Sequence, residues 1–284
     1  MRRAEAGDAV ALEAYLAGHP EGSMFPRANL ARHGLEGSDD PHATWFWVVP
    51  APDGALRAAV GVTGAGMVLP QMAGALPADW AELRAALRGV PVTGVVGPAA
   101  QVRRVVEGLR LEGAATRHDA TEPGFALDLA DLAVPLGADD GITPASAADA
   151  GVLCDWRTAY QAEVLGAGAA EAGRLAQRDI EGYLAAGSHR VLWRGGQPVA
   201  FCGFNAALPD IVQVGGVWVP PDLRGQGLAR RAVALHLAEA RDAGVRRACL
   251  FAASEAAERA YRAIGFGPAA PMALVLFRAP QVVA

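Results

Sequence analysis

The sequence contains no lysine: its 25 basic residues are all arginine, set against 30 acidic ones for a net charge of −5. A lysine-free chain cannot build the phosphate loop G-x-x-x-x-G-K-S/T, whose lysine reaches the terminal phosphates of a nucleotide. Nor does the acid excess leave a basic face for nucleic acid or for an anionic membrane. Cysteine is scarce. Cys154, Cys202 and Cys249 are odd in number, far apart and set in apolar segments, which points to buried thiols in a reducing compartment rather than a disulfide framework. No apolar run approaches the roughly 18 residues that span a bilayer, and Arg2-Arg3 lead into Ala-Glu-Ala-Gly-Asp instead of an apolar leader. A soluble cytoplasmic protein is the expectation. The histidines His19, His33, His42, His118, His189 and His236 are scattered without metal-ligand spacing, so no metal is expected. The absence of a G-x-S-x-G elbow, or of a cysteine near a histidine, argues against a covalent acyl-enzyme.

What is present is core-forming material. Hydrophobic residues make up 52% of the 284 positions and charged ones 19%, the balance of a globular chain long enough for two domains of about 140 residues. The first half reads as helices at 8–17 and 25–33, a hairpin of strands 44–49 and 57–62, and a short strand at 66–69. It continues as helix 77–87, strand 93–96, helix 98–109 and strand 125–129. Residues 133–148 are small, proline-punctuated and without a periodic apolar face, and read as a linker. The same order then returns: helices at 149–165 and 171–186, a hairpin of strands 190–193 and 198–205, then strand, helix, strand, helix and a last strand at 273–278. Domains of 1–138 and 139–284 follow. In the helix at 149–165, Leu153, Trp156, Tyr160 and Val164 recur at helical spacing.

The second half holds the stretch with chemistry, Gln213 to Ala240. β-Branched Val214, Val217 and Val219 are stopped by Pro220-Pro221. Arg224-Gly225-Gln226-Gly227-Leu228-Ala229 then leads into a helix carrying Val233, Leu235 and Leu237. A strand, a glycine turn and a helix start expose unpartnered backbone N–H groups, which is an anion site. The turn lacks G-x-G-x-x-G, so a dinucleotide reading weakens. Arg224, Gly227 and Ala229 instead meet Q/R-x-x-G-x-G/A, and Tyr261-Arg262-Ala263-Ile264-Gly265-Phe266 follows downstream. Here the chain resembles the GNAT N-acetyltransferases: the first motif is similar to their acyl-CoA pyrophosphate loop and the second to their closing A-x-x-x-Y-x-x-x-G-F signature. The resemblance is specific over about residues 190–267.

That resemblance implies two tandem GNAT-like domains of α/β (α+β type) fold, each a mixed, mostly antiparallel sheet flanked by helices. The first copy has lost the glycine loop and is expected to bind no acyl-CoA. It further implies that the backbone from Arg224 through Gly225, Gln226, Gly227, Leu228 and Ala229 to Arg230 holds the diphosphate of acetyl-CoA, the cosubstrate. Val217, Trp218 and Val219 would pair with its pantetheine arm, on a strand that splays at Gly215-Gly216. Ser254 stands where relatives keep a cofactor-touching asparagine. Tyr261 stands where the family keeps its general acid; a phenol of pKa about 10 suits a departing thiolate. Gln213 occupies the place of a catalytic glutamate in some relatives, and an amide cannot act as base. Glu163, on one helical face with Trp156 and Tyr160, is the expected substitute, with Asp210 behind it. The implied activity is direct transfer of an acetyl group to a primary amine of a small molecule or amino acid, with no nucleic acid or membrane partner and a homodimer left open. Two alternatives stand beside it: a non-catalytic acyl-CoA sensor or scaffold, and a nucleotide-binding α/β protein.

Overall fold

The computed structural model describes residues 1–35, 38–136 and 140–284. In chain order it contains β1 (Arg2–Arg3), α1 (Ala9–Ala17), α2 (Met24–His33), β2 (Thr44–Pro50), β3 (Leu56–Thr63), β4 (Met67–Gln71), α3 (Pro77–Ala86), β5 (Pro91–Pro98), α4 (Ala99–Gly108) and β6 (Thr116–Asp128). There follow β7 (Asp140–Pro144), α5 (Ala150–Glu163), α6 (Ala169–Ala186), β8 (His189–Arg194), β9 (Gln197–Ala207), β10 (Ile211–Trp218), α7 (Leu228–Asp242), β11 (Arg247–Phe251), α8 (Glu255–Arg262) and β12 (Gly267–Val282).

Residues 1–123 with 270–284 make one compact unit, and residues 124–269 a second. This differs from the expected halves, and the ladder partners explain why. Residues 124–128 of β6 pair antiparallel with β11, and β12 from Met272 onward pairs with β5. A strand belongs where its N–H and C=O groups find partners, which sequence order alone does not specify. The expected cut between residues 138 and 139 lies outside the described residues. Part of the expected linker is in fact a strand: β7 pairs with β8, and Arg194 Nε donates to Asp140 Oδ1 at 2.7 Å.

In the first unit the strand order is β1-β2-β3-β4-β5-β12, and β4 and β5 are parallel. Val60, Val62, Val68, Leu83, Val95, Val102 and Val105 fill the core shared with α3 and α4. In the second unit the order is β6-β11-β10-β9-β8-β7, with β10 and β11 parallel. A parallel pair needs a crossover, supplied by α3 in one unit and α7 in the other. The duplicated element order thus becomes two units of like topology.

In the second unit β10 is covered on both faces. Val212 and Val214 meet Leu228, Ala232, Val233 and Leu237 of α7, and each large apolar side chain so buried contributes about 1.5–3 kcal/mol. On the opposite side of the sheet Leu153, Ile180, Val191 and Phe201 join α5 and α6 to β8 and β9.

Inside the α7 face, His236 is 3% exposed and its ring stacks on Phe204 at 3.8 Å. Burial depresses its pKa to about 3 and pushes the neighbouring Cys202 thiol up to about 12. The unfolded chain, with an ordinary histidine near 6.5, therefore binds a proton that the folded protein refuses. Stability is full above pH 6.5 and falls as the pH drops toward 3, by about 2 kcal/mol at pH 5 from this residue alone. Thermal unfolding followed from pH 7.5 to 4.5 should show that decline, and His236→Gln should remove the share due to this residue. Among the described residues no helix is long and apolar enough to cross a membrane.

Candidate functional site

Pro220-Pro221 end β10, a 3-10 turn spans Pro221–Leu223, and the chain reaches α7 through two left-handed residues, Gly225 (φ +81°) and Gly227 (φ +75°). A left-handed residue alternating with ordinary ones turns successive N–H groups to one side and creates a concavity for an anion. Among the described residues no acceptor is found for the backbone N–H of residues 225–230, the first such bond being Arg231 N to Gly227 O at 3.0 Å. A Cβ on Gly225 would meet nothing within 4 Å, whereas one on Gly227 would stand 3.2 Å from Arg230 Nη2, so the concavity is open at Gly225 and bordered by the Arg230 guanidinium at Gly227. Leu228, 2% exposed, pins the helix start to the core. The positive end of the α7 dipole lies at the same place.

The corresponding turn of the first unit is filled by its own chain. Met72 N donates to Gln101 Oε1 at 2.6 Å, Gly74 N to Arg57 O at 3.1 Å and Leu76 N to Asp79 Oδ2 at 2.7 Å.

Beside the open turn, β10 pairs with β11 only across Ile211, Val212 and Gln213 and continues to Trp218 without that neighbour. Register shifts against β9 fall at Gln213/Val214 and between Gly215 and Trp218. Both glycines are required here. A Cβ on Gly215 would lie 1.9 Å from the Asn205 side chain, and Gly216 has φ +62°. At the fork, Gln213 is fully buried with neither amide atom hydrogen-bonded among the described residues.

The expected site residues divide into groups. Arg224 and Glu163 are brought together: Nη1 and Nη2 donate to the two carboxylate oxygens at 2.9 and 3.0 Å. The guanidinium also lies 4.7 Å over the Trp218 ring, and its Nε donates to Val219 O at 3.1 Å. Glu163, expected as a base toward the acceptor, thus has both oxygens on the loop arginine, and the Val219 carbonyl is occupied by protein. Ser254, expected at the cofactor, caps α8 by accepting from Ala257 N at 3.2 Å. Tyr261 is 6% exposed and meets Phe266 edge-on at 6.0 Å. Gln226 is exposed, Ala229 and Arg230 half-buried, and Val217 packs against the core formed with α7.

A polar cluster on α5 and β8 went unread. The buried positions of α5 are Leu153, Arg157 and Gln161, not the stripe through Trp156 and Val164. Arg157 Nε and Gln161 Nε2 donate to Asp179 Oδ2 at 2.8 and 2.7 Å. His189, 1% exposed, stacks on Tyr183 at 3.6 Å; burial, and Arg157 nearby, hold its pKa well below the usual histidine value, so it is neutral. The i, i+4 spacing of Leu153, Arg157 and Gln161, and Gly203 opposite His189, were the available signals; a Cβ on Gly203 would stand 2.1 Å from the imidazole.

Residues 153–266 match the model of the acetyltransferase (GNAT) family. Among solved structures the chain is similar to a GNAT-family acetyltransferase from Colwellia psychrerythraea, with 14% identity and a TM-score of 0.56 over 98% of this chain and 99% of that one. A GCN5-related N-acetyltransferase from Kribbella flavida shares 18% identity, TM-score 0.54, over 90% and 96%. A tandem GNAT protein of the clavulanic acid biosynthesis pathway shares 16% identity, TM-score 0.55, over 100% and 98%. At these identities the likeness is one of fold. No curated protein matches the chain.

Proposed function

We propose that the protein, whose residues 153–266 match the model of the acetyltransferase (GNAT) family, transfers an acetyl group from acetyl-CoA to a primary amine of a small molecule or amino acid. The observation that carries the proposal is the fork of β10 from β11 after Gln213, next to the donor-rich turn at 225–230. The turn fits a diphosphate, which needs several convergent N–H donors and no side chain in the way. The fork fits an extended arm with amides of its own, which the free edge of β10 at Val217 and Trp218 would pair.

Bound there, acetyl-CoA supplies a thioester: the C–S bond breaks as the amine nitrogen forms the C–N bond, the nitrogen releasing one proton and the sulfur accepting one. The backbone at the Gly216 bulge polarises the carbonyl. Tyr261 supplies the proton to sulfur. Arg224, over Trp218 and tethered by Glu163, holds the turn in shape. Glu163 is a tether in this reading, and Glu163→Gln should change turnover by less than about fivefold, the most an exposed ion pair is worth. Loss of a general base would cost about 10²–10⁴-fold, so steady-state kinetics separates the two roles. The first unit, its turn already bonded internally, binds no acyl-CoA.

Gln213, an amide where a carboxylate would serve as base, favours a second reading: a non-catalytic acyl-CoA sensor. Calorimetric titration with acetyl-CoA, followed by release of free CoA with a panel of primary amines, tests both. An acetyltransferase binds and releases, a sensor binds without release, and no binding defeats both.

A further inference from the structure

Arg157 is 9% exposed as a residue, and its guanidinium makes a single hydrogen bond among the described residues, from Nε to Asp179. A guanidinium carries five N–H donors, and the Nη donors of Arg157 are not sealed in but stay open to whatever enters beside them. Its surroundings account for every side but one. The Tyr160 ring lies 4.5 Å from the guanidinium carbon and the Tyr183 ring 5.4 Å, and Asp179 takes the Nε side. The Nη edge is left, and it points at the fork: a Cβ built on Gly216 would stand 3.9 Å from Arg157 Nη1 and 3.2 Å from His189 Nε2. His189 Nε2 is also buried without a partner among the described residues, as is Gln161 Oε1. The Nη edge of Arg157 and the unmatched His189 Nε2 thus flank the strand residue next to which the reacting carbonyl lies in the proposed function.

We infer that the acceptor amine carries a carboxylate, and that the Nη edge of Arg157 receives it beside Gly216. The inference rests on the acyltransferase reading and adds the acceptor's class. Two parallel N–H bonds from one guanidinium match the two oxygens of a carboxylate, a match that neither a lysine nor a neutral amide offers. Tyr160 and Tyr183 hold the plane of the guanidinium so that only that edge is presented. Asp179 orients Nε without occupying Nη. The uncharged His189 adds no competing charge, and its free nitrogen is available to a polar group of the same ligand.

The test is a panel of matched acceptors: amino acids, their carboxamides and their decarboxylated amines, assayed for CoA release by the full-length protein. The acids should be acetylated with kcat/KM about 10- to 100-fold above their two counterparts, the worth of hydrogen bonds to a charged group. Arg157→Gln should erase that preference while leaving the Kd for acetyl-CoA unchanged, and Arg157→Lys should restore part of it. Carboxamides or amines accepted as well as the acids would overturn the inference, as would a protein that binds acetyl-CoA but acetylates no amino acid. The wild-type panel decides even if Arg157→Gln does not fold. Failure of the wild type to bind acetyl-CoA would instead defeat the acyltransferase reading itself.

Discussion

Gly227→Val is expected to raise the Kd for acetyl-CoA by more than about 100-fold while the protein stays folded. Gly227 is the left-handed residue immediately before α7, at φ +75°. A β-branched residue is a genuine outlier in that region and costs about 1–3 kcal/mol to hold there. The turn would relieve the strain by rotating peptide groups, and the N–H groups of residues 225–230 would no longer converge. Losing two hydrogen bonds to a charged diphosphate, at about 1.5–3 kcal/mol each, gives the predicted factor. Crowding adds to the effect, since a Cβ here would stand 3.2 Å from Arg230 Nη2. Gly227→Asn is the control, because asparagine tolerates the left-handed region. It should bind within about tenfold of the wild type. Equal binding by the valine variant would mean that the turn does not hold the diphosphate.

Tyr261→Phe is expected to lower kcat by about 10²–10⁴-fold and to leave the Kd for acetyl-CoA unaltered. The ring is buried at the end of α8, edge-on to Phe266, and phenylalanine preserves that packing. Only the hydroxyl is lost. A packing residue would show no change in turnover, whereas an acid that protonates the departing sulfur would show the full loss in single-turnover chemistry. Unchanged kcat would remove Tyr261 from the reaction.

Much of this was legible in the sequence, where local rules apply. Gly215-Gly216 inside a β-forming run announced the bulge, and Arg224 to Ala229 announced the turn; the structure shows a fork at the first and open amides at the second. Both follow from backbone geometry, which glycine and proline report directly. What was not legible depends on partners distant in sequence. The last strand joins β5, about 180 residues earlier, and no local pattern encodes that choice. Glu163 carried a helical spacing that suited the acceptor side, but its partner Arg224 lies 61 residues on, in the loop before α7. The buried face of α5 was misjudged for a related reason. Arginine is almost never fully buried unless paired, and the partner of Arg157, Asp179, sits on a different helix that helical spacing within α5 does not reveal.

The most direct test of the central claim is amide hydrogen exchange with and without saturating acetyl-CoA. The account predicts new protection at residues 225–230 and at Val217–Trp218, and none at residues 72–79 of the first unit. Unchanged exchange at 225–230, or protection confined to the first unit's turn, would contradict it.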